Sequence, residues 1–248
     1  MIYWAFETFL RTFNLVTGHK TTRVGELRIR STGGAVIAIN HTSYVDFTYI
    51  GMSAIRHDKR HLRFMGKTEL KKNPLLRWLM WGCRVIPVDR SAGRDSYVAA
   101  VRELRAGEVV AIYPEATISR SFELKEFKSG AARMALEAGV PIVPAIVWGS
   151  QRIATKGQKP RLGRTKTPVA VAVGKAIPAE GTAESLTQTL RVAMLELLEQ
   201  VKAAYGDHPA GGAWVPAAMG GTAPTLEEAN EIEHKEKETK AAARDAKS

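Results

Sequence analysis

Five short apolar runs, separated by longer amphipathic stretches, constrain the fold of this 248-residue chain more than any other feature. The runs are rich in Val, Ile and Ala with little polar alternation, which is typical of strands that are buried on both faces of a sheet. Their alternation with helices predicts an α/β fold, with a mostly parallel central sheet flanked by helices. The predicted strands are 35–39, 84–88, 109–113, 142–147 and 169–173.

Stretches of helical period fill the intervals between these runs. The clearest is 184–204, where Leu186, Leu190 and Leu197 belong to one apolar stripe. Residues 2–16 predict an N-terminal amphipathic helix with aromatic side chains on one side, and such a helix can either pack on the body or lie at a membrane surface. The predicted helices are 2–16, 46–55, 72–81, 95–104, 128–138 and 184–204.

Charge and composition divide the chain into a basic body and an acidic tail. The formal net charge is +11, with 30 Lys and Arg against 17 Asp and Glu in residues 1–200, but 6 against 8 in residues 201–248. A basic body suits an anionic partner, which can be a nucleic acid, a membrane surface or a phosphorylated small molecule. The predicted organisation is an amphipathic segment at 1–30 that can face a membrane, a main domain at 31–205, and a flexible charged tail at 206–248.

Several function classes find no support in the sequence. The single cysteine, Cys83, allows no internal disulfide and favours a reducing compartment. There is no G-x-S-x-G elbow of a serine hydrolase, no nucleotide-type glycine loop and no nucleic-acid-binding motif. The histidines lack the usual ligand spacings, so we expect no metal site. Because no nucleic-acid-binding motif is present, we also expect no nucleic-acid partner. No run reaches the ~18 apolar residues of a spanning helix, and no basic region precedes the first apolar residues as in a secretory signal.

The strongest chemical signal follows the first apolar run, in the stretch NHTSYVD at 40–46. His41 comes at the carboxyl end of a predicted strand, where open α/β sheets place their sites. Ser43 and Asp46 fit a capping box, in which Asp46 would satisfy backbone N–H groups. The same position also lets the carboxylate bond one imidazole nitrogen and leave the other to accept a proton. On spacing alone, a helix cap and a His–Asp dyad are both open, and they are compatible.

A basic and apolar stretch occupies residues 67–90. The helix predicted within it is apolar nearly all round and includes Trp78, Leu79 and Trp81, with lysines and arginines on either side. This pattern predicts contact with an acyl chain or a membrane, although a fully buried core helix would have the same pattern. Arg90 directly follows the second predicted strand, where a guanidinium suits bidentate phosphate capture or a surface salt bridge.

Polar and charged residues also follow the third apolar run. The stretch YPEATISRS begins at residue 113 and FKSG begins at residue 127. A carboxylate, a hydroxyl and two cations are therefore expected at the carboxyl end of this strand. They belong to Glu115, Thr117, Arg120 and Lys128.

Taken in order, these stretches resemble the glycerolipid acyltransferases, and they are most similar to the lysophosphatidic acid acyltransferases that make phosphatidic acid. The resemblance covers about residues 35–150, and the ordered set is far more specific than any one piece. It implies that residues 31–205 form an acyltransferase catalytic domain. The matching motifs are NHxxxxD at 40–46, KxEL at 67–70, VDR at 88–90, YPExT at 113–117, FKxG at 127–130 and VP at 143–144.

The resemblance implies a role for each motif. His41 and Asp46 match the family's H-x4-D pair, in which the histidine deprotonates the substrate hydroxyl that attacks an acyl thioester. Arg90 matches the arginine of the family's second block, which helps to hold the glycerol phosphate. The other residues expected to bind the substrate phosphate are Lys67, Glu115, Thr117, Arg120 and Lys128.

The third motif departs from the family pattern at two positions. The family's glycine is Ala116 here, and its arginine position is Ile118, although the spacing from Glu115 to FKSG is that of the family. Arg120, two residues later, can substitute for the missing arginine, or lysines of the neighbouring motifs can carry that charge.

The implied function is transfer of a fatty acyl group from an acyl thioester to the sn-2 hydroxyl of 1-acylglycerol 3-phosphate. The donor is acyl-CoA or acyl carrier protein, and no cofactor is expected. The expected partners are lysophosphatidic acid and an anionic membrane surface, with the protein peripheral on the cytoplasmic face. The alternatives are another lysophospholipid or glycerol 3-phosphate as acceptor, and a peripheral lipid-binding protein without catalysis.

Overall fold

A seven-stranded sheet forms the centre of the molecule. The structure, a computed structural model, describes residues 2–25, 29, 32–88, 93–161 and 163–245. The strands lie in the order β1-β7-β6-β2-β5-β3-β4, and all neighbours are parallel except β6 and β7. Their bounds are β1 Lys20–Val24, β2 Ala35–Ile39, β3 Leu62–Lys67, β4 Ile86–Val88, β5 Val109–Ile112, β6 Ile142–Trp148 and β7 Pro168–Val173.

Helices flank the sheet, so the predicted α/β fold class, including the N-terminal helix, is confirmed. The second helix continues into a π-helical turn at Ala54–Asp58, and the seventh forms the end of the described chain. The helix bounds are α1 Ile2–Thr17, α2 Asp46–Ser53, α3 Pro74–Gly82, α4 Gly93–Arg105, α5 Gly130–Ala138, α6 Ala183–Tyr205 and α7 Leu226–Asp245.

Burial on both faces explains why the central strands are apolar throughout. In β2, all five residues are buried, and successive side chains enter opposite halves of the core. Val36 and Ala38 join the core under α4, α5 and α6, whereas Ile37 and Ile39 join the core under α2. β2 pairs with β5 on one side and β6 on the other, so the loop that follows β2 emerges at the middle of the sheet.

The strand predictions located the buried central strands and missed two others. β2, β5, β6 and β7 begin and end within one residue of the predicted bounds, but β1 and β3 were missed. β1 has the sequence KTTRV and lies at the edge of the sheet, where one face and one side meet solvent. Because β1 pairs with β7, the predicted N-terminal segment at 1–30 contributes a strand to the sheet as well as α1.

Residues 206–225 are folded, so the prediction of a flexible linker there is wrong. Trp214 and Val215 are buried, and the Arg152 guanidinium lies 4.4 Å from the centre of a Trp214 ring. The indole N–H of Trp148 donates to His208 Nε2 at 3.0 Å. These few aromatic contacts fix a segment whose glycine and proline content alone predicts flexibility, and they place the start of α7 against the body.

Truncation of Trp214 tests this packing. We expect Trp214→Ala to lower the free energy of unfolding by about 3 kcal/mol, because the change removes a buried ring and leaves a cavity. The matched control is Trp81→Ala, since Trp81 is 72% exposed, and its effect should stay within about 0.5 kcal/mol. Urea unfolding followed by circular dichroism measures both. Equal effects of the two substitutions would contradict the packed arrangement of 206–225.

Candidate active site

The polar residues after β2 are held by β6 and by the loop that follows it. The Asn40 side chain acts as a backbone substitute: its Nδ2 donates to the Val147 carbonyl at 3.0 Å, and its Oδ1 accepts from the Val147 N–H at 2.7 Å. These two hydrogen bonds extend the pairing of β2 with β6 by one residue. Asn40 itself is buried. The position of His41 is thereby fixed at the end of the strand.

Asp46 is a fully buried carboxylate with hydrogen bonds to both oxygens. Its Oδ2 accepts from the backbone N–H groups of Thr42 at 3.0 Å and Ser43 at 2.8 Å, and its Oδ1 accepts from the Ser150 hydroxyl at 2.5 Å. Burial of a charged group is costly unless such donors compensate it. The carboxylate therefore acts as an acceptor in a fixed orientation.

His41 lies against this carboxylate with Nδ1 3.2 Å from Asp46 Oδ2. Because the carboxylate acts as an acceptor, we assign the proton to Nδ1, which leaves the Nε2 lone pair available. The His41 side chain is 19% exposed and that of Asp46 is 0% exposed, so a substrate can reach only the imidazole. The Tyr113 ring stacks on the imidazole with the ring centres 3.9 Å apart and restricts its rotation.

Only the carboxylate half of the predicted capping box is present. Asp46 accepts from the Ser43 N–H, as the box requires. The Ser43 hydroxyl, however, accepts from the Val45 N–H and donates to the carbonyl oxygens of Ala154 and Ser150. The helix cap and the dyad are therefore one arrangement, in which the Thr42 and Ser43 N–H groups, just before α2, hold the carboxylate against His41.

Glu115 holds the backbone behind the dyad. It is buried, and its two oxygens accept from the His41 N–H at 2.8 Å and the Lys125 N–H at 3.1 Å. The Ser119 N–H also donates to the His41 carbonyl at 2.7 Å. Sequence reasoning grouped Glu115 with the phosphate-binding residues, but the structure makes it a brace between the loops after β2 and β5. Both oxygens of this buried carboxyl group thus contact backbone N–H groups of the chain itself.

The two departures of the third motif have different structural consequences. Ala116 has φ = 61°, the left-handed conformation that glycine adopts at little cost, so the backbone that the family's glycine allows is kept with alanine. Ile118 is buried, with 6% exposure, so the family's arginine position points into the protein interior here. A cation that contacts substrate must come from elsewhere.

Cations next to this motif contact carboxylates of α7. Lys125 Nζ lies 2.5 Å from the Thr117 hydroxyl and 2.7 Å from Glu233 Oε2. The Thr117 hydroxyl donates to Glu233 Oε1 at 3.0 Å, and Arg120 pairs with Glu236. Two of the predicted phosphate-binding residues, Thr117 and Arg120, thus each contact a carboxylate of α7, which is Glu233 for Thr117 and Glu236 for Arg120.

The remaining predicted residues are exposed or lie outside the described part. Lys67, at the end of β3, and Lys128 are exposed. Trp78 and Trp81 on α3 are 48% and 72% exposed, so α3 is not the fully buried core helix that its composition also allowed. Two predicted sites lie outside the described residues: Arg90 and the side chain of Leu79.

Sequence reasoning missed Ser150, Lys125 and Lys156. Ser150 is 104 residues from Asp46 in the chain, and its hydroxyl reaches the carboxylate because β6 is the neighbour of β2. Lys125 and Lys156 contact Glu233 across more than 70 residues. None of the three lies in a motif with a characteristic spacing, so topology alone reveals them.

Other kinds of site find no support among the described residues. No group of three His, Cys, Asp or Glu side chains is arranged there to hold a metal ion. Burial raises the pKa of the Cys83 thiol to about 11, which keeps it protonated and a poor nucleophile. No helix in this part of the chain is long and apolar enough to cross a membrane.

Comparison with known proteins identifies the family. The family model described as Acyltransferase matches residues 20–148, which contain the dyad and the strands that position it. The chain belongs to this acyltransferase family. A solved structure, the 1-acyl-sn-glycerophosphate (LPA) acyltransferase PlsC from Thermotoga maritima, superimposes with a TM-score of 0.62 over 79% of this chain and 78% of that chain. At 21% sequence identity, this likeness shows the fold.

Curated relatives carry related names. A 1-acyl-sn-glycerol-3-phosphate acyltransferase of Chlamydomonas reinhardtii is 26% identical over 73% of this acyltransferase and 53% of the relative. Another, from Bacillus subtilis (strain 168), is 32% identical over 47% of this chain and 56% of the relative. The matches therefore span about half the length of these relatives.

The brace at Glu115 predicts a pH-dependent stability. Burial raises the pKa of Glu115 to about 7, although the N–H groups of Lys125 and His41 act in the opposite direction. Between pH 4.5, its ordinary value, and 7, the folded protein keeps a proton that the unfolded chain has lost, so the free energy of unfolding falls as pH rises. We expect the stability of the native protein, relative to Glu115→Gln, to fall by up to about 3 kcal/mol across this window.

Urea unfolding of the two proteins at several pH values measures this difference, since other titrating groups cancel in the comparison. A difference that rises between pH 4.5 and 7, or stays constant, would contradict the buried position of the carboxyl.

Proposed function

We propose that this acyltransferase moves a fatty acyl group from an acyl thioester to the sn-2 hydroxyl of 1-acylglycerol 3-phosphate, giving phosphatidic acid, with His41 as general base. The observation that carries the proposal is the His41–Asp46 pair at the end of β2, with a buried acceptor carboxylate and a reachable imidazole. The names of the relatives supply the substrate class.

The geometry supports the following sequence of steps. His41 Nε2 takes the proton of the acceptor hydroxyl while its oxygen attacks the thioester carbonyl carbon. Asp46 accepts a hydrogen bond from Nδ1 and stabilises the imidazolium that forms. The tetrahedral intermediate collapses, the C–S bond breaks, and the departing thiolate takes the proton from the imidazolium. An ester and a free thiol result, and His41 returns to its starting form.

A dyad without a covalent nucleophile suits this chemistry. A thiol with a pKa near ~8.5 is a good leaving group, so direct attack by an activated hydroxyl suffices. General-base assistance contributes on the order of 10²–10⁴-fold, and proximity of the two bound substrates supplies much of the rest. The donor in this proposal is acyl-CoA or acyl carrier protein, used as a substrate, and the reaction needs no resident cofactor.

The acceptor is the least constrained part of the proposal. Arg90, by resemblance, and the cations beside the third motif are the proposed partners of the acceptor phosphate. Ile118 replaces the family's arginine, and this favours a second candidate function, in which the acceptor is another lysophospholipid or glycerol 3-phosphate.

A membrane surface is the proposed place of action, with the protein peripheral on the cytoplasmic face. The indole rings of Trp78 and Trp81 are exposed on α3, and Lys71, Lys72 and Arg77 are exposed beside them. Exposed aromatic residues next to cations suit the interface of an anionic bilayer. α1, which contacts α3, also exposes Leu15 and Val16 near its end, at 79% and 65%.

His41→Ala tests the proposed reaction. With lysophosphatidic acid and a long-chain acyl-CoA, we expect the rate of thiol release to fall by about 10²–10⁴-fold, because the general base is lost. The matched control is His61→Ala, which changes an exposed histidine before β3 and should leave the rate within about twofold. Equal rates for the native protein and His41→Ala would contradict the dyad.

The same assay separates the alternatives. Transfer to another lysophospholipid or to glycerol 3-phosphate, but not to lysophosphatidic acid, would establish the second candidate. Binding of lipid without transfer to any acceptor would indicate a peripheral lipid-binding protein.

Trp78→Ala/Trp81→Ala tests the membrane surface. We expect the affinity for vesicles of anionic phospholipid to fall by about tenfold or more, because two aromatic rings no longer enter the interface. Vesicle co-sedimentation measures it, and Val192→Ala, which trims an apolar residue 51% exposed on α6, is the control. Unchanged vesicle binding of the double variant would place the membrane contact elsewhere.

A further inference from the structure

Three cations converge where α7 meets the loop after β5. We call Arg120, Lys125 and Lys156 the cation cluster. Glu233 contacts Lys125 at 2.7 Å and Lys156 at 3.8 Å, and Glu236 contacts Lys156 at 2.8 Å as well as Arg120. The side chains of the cluster are only 11–23% exposed, so water and salt screen these ion pairs weakly.

The cluster requires an anion. Three positive side chains held this close repel one another unless a negative group lies among them, and two carboxylates of α7 supply it. Burial disfavours ionisation of Glu233, yet the Lys125 ammonium and the Thr117 hydroxyl lower its pKa overall. The cluster therefore binds an ionised group strongly even when that group is partly removed from water.

One donor of the cluster is left unused by the carboxylates of α7. Arg120 Nε is buried and has no hydrogen-bond partner within the described ranges, so a donor is available for a further oxygen. The guanidinium lies directly against Gly157, where any side chain would collide with it. A phosphomonoester carries a charge of about −1.5 to −2, close to that of two carboxylates, and has three acceptor oxygens.

The loop that carries Arg120 and Lys125 also holds the backbone of the proposed base. Glu115 accepts from the backbone of both His41 and Lys125, so these two backbones meet at one carboxylate. The Tyr113 ring stacks on the imidazole. Tyr113 also begins a turn in which the Ala116 N–H donates to the Tyr113 carbonyl at 3.0 Å, and Thr117 follows this turn. The backbone of Lys125, a member of the cluster, is thus tied to that of His41 through one carboxyl group.

We propose that the cation cluster binds the phosphomonoester of the acceptor, and that α7 occupies this site as an internal anion until the acceptor displaces it. The inference rests on the proposed function for the identity of the acceptor. It assigns binding to Lys125 and Lys156, and it makes the C-terminal helix a competitor of the substrate. A site occupied by α7 nine-tenths of the time raises the apparent Kd of the acceptor by about tenfold.

The first experiment follows α7 itself, without any need for turnover. Trypsin can cut α7 after Lys235 or Lys237, and release of the helix should speed this cleavage. We expect Glu233→Gln/Glu236→Gln to increase the cleavage rate by about tenfold. The control Glu231→Gln/Glu238→Gln makes the same charge change at two exposed positions of the helix and should alter the rate by less than about twofold.

Ligands should act on the native protein and on His41→Ala alike. Lysophosphatidic acid and glycerol 3-phosphate both carry a phosphomonoester and should accelerate cleavage of α7, whereas lysophosphatidylcholine, a phosphodiester, should not. Acceleration by both lysolipids but not by glycerol 3-phosphate would show that a lipid surface releases the helix and would overturn the proposal. Phosphomonoester-dependent release in a protein that transfers no acyl group would support this inference and refute the proposed reaction.

Kinetics then locate the phosphate. Glu233→Gln/Glu236→Gln should lower the KM for lysophosphatidic acid by about tenfold and change kcat by less than about twofold. Adding Lys156→Met to that variant should raise the KM again by about tenfold. No change on adding Lys156→Met, or a KM equal to that of the Glu231/Glu238 control, would overturn the assignment of the site.

Discussion

The buried carboxylate of Asp46 is the group on which the arrangement around His41 depends. An ionised group with no exposure is tolerated only where several donors compensate it, and here they come from the Thr42 and Ser43 backbone, from Ser150 and from His41. These donors belong to the ends of β2 and β6, which are adjacent in the sheet. Loss of the β2–β6 register would remove Ser150 from this set of donors, so the sheet helps to stabilise the carboxylate of the dyad.

The sequence predicted the parts of the fold that burial dictates. A strand covered on both faces, such as β2, must be apolar throughout, and this leaves a clear pattern. β1 lies at an edge of the sheet and therefore need not be apolar. Its sequence, KTTRV, has no hydrophobic periodicity that would distinguish a strand from a loop. The folded segment at 206–225 was missed for a related reason, since Trp214 packs on Arg152, which lies in a distant part of the chain.

The candidate site likewise has contacts that the sequence indicated and contacts that it did not. His41 and Asp46 are five residues apart, so spacing allowed their contact beside a helix cap, and the resemblance to the acyltransferases favoured the dyad. Ser150 reaches the same carboxylate from 104 residues away, and its contribution depends on which strand lies beside β2. Glu115 was recognised as part of a motif, but its contacts with the backbones of His41 and Lys125 were not predicted, because a sequence shows a charge and not its burial.

The changes in the third motif and the acidic tail can be understood together as one redistribution of charge. Burial of Ile118 removes a cation from the family's position, and Lys125 and Lys156 place two others around Thr117. The cation cluster attracts any anion, including carboxylates of its own chain. Because α7 is part of the same chain, its carboxylates are present at a high effective concentration. Under the proposed assignment, the carboxylates that balance the cluster set the affinity that a phosphate must exceed to displace α7, so phosphate binding and occupancy by α7 depend on the same side chains.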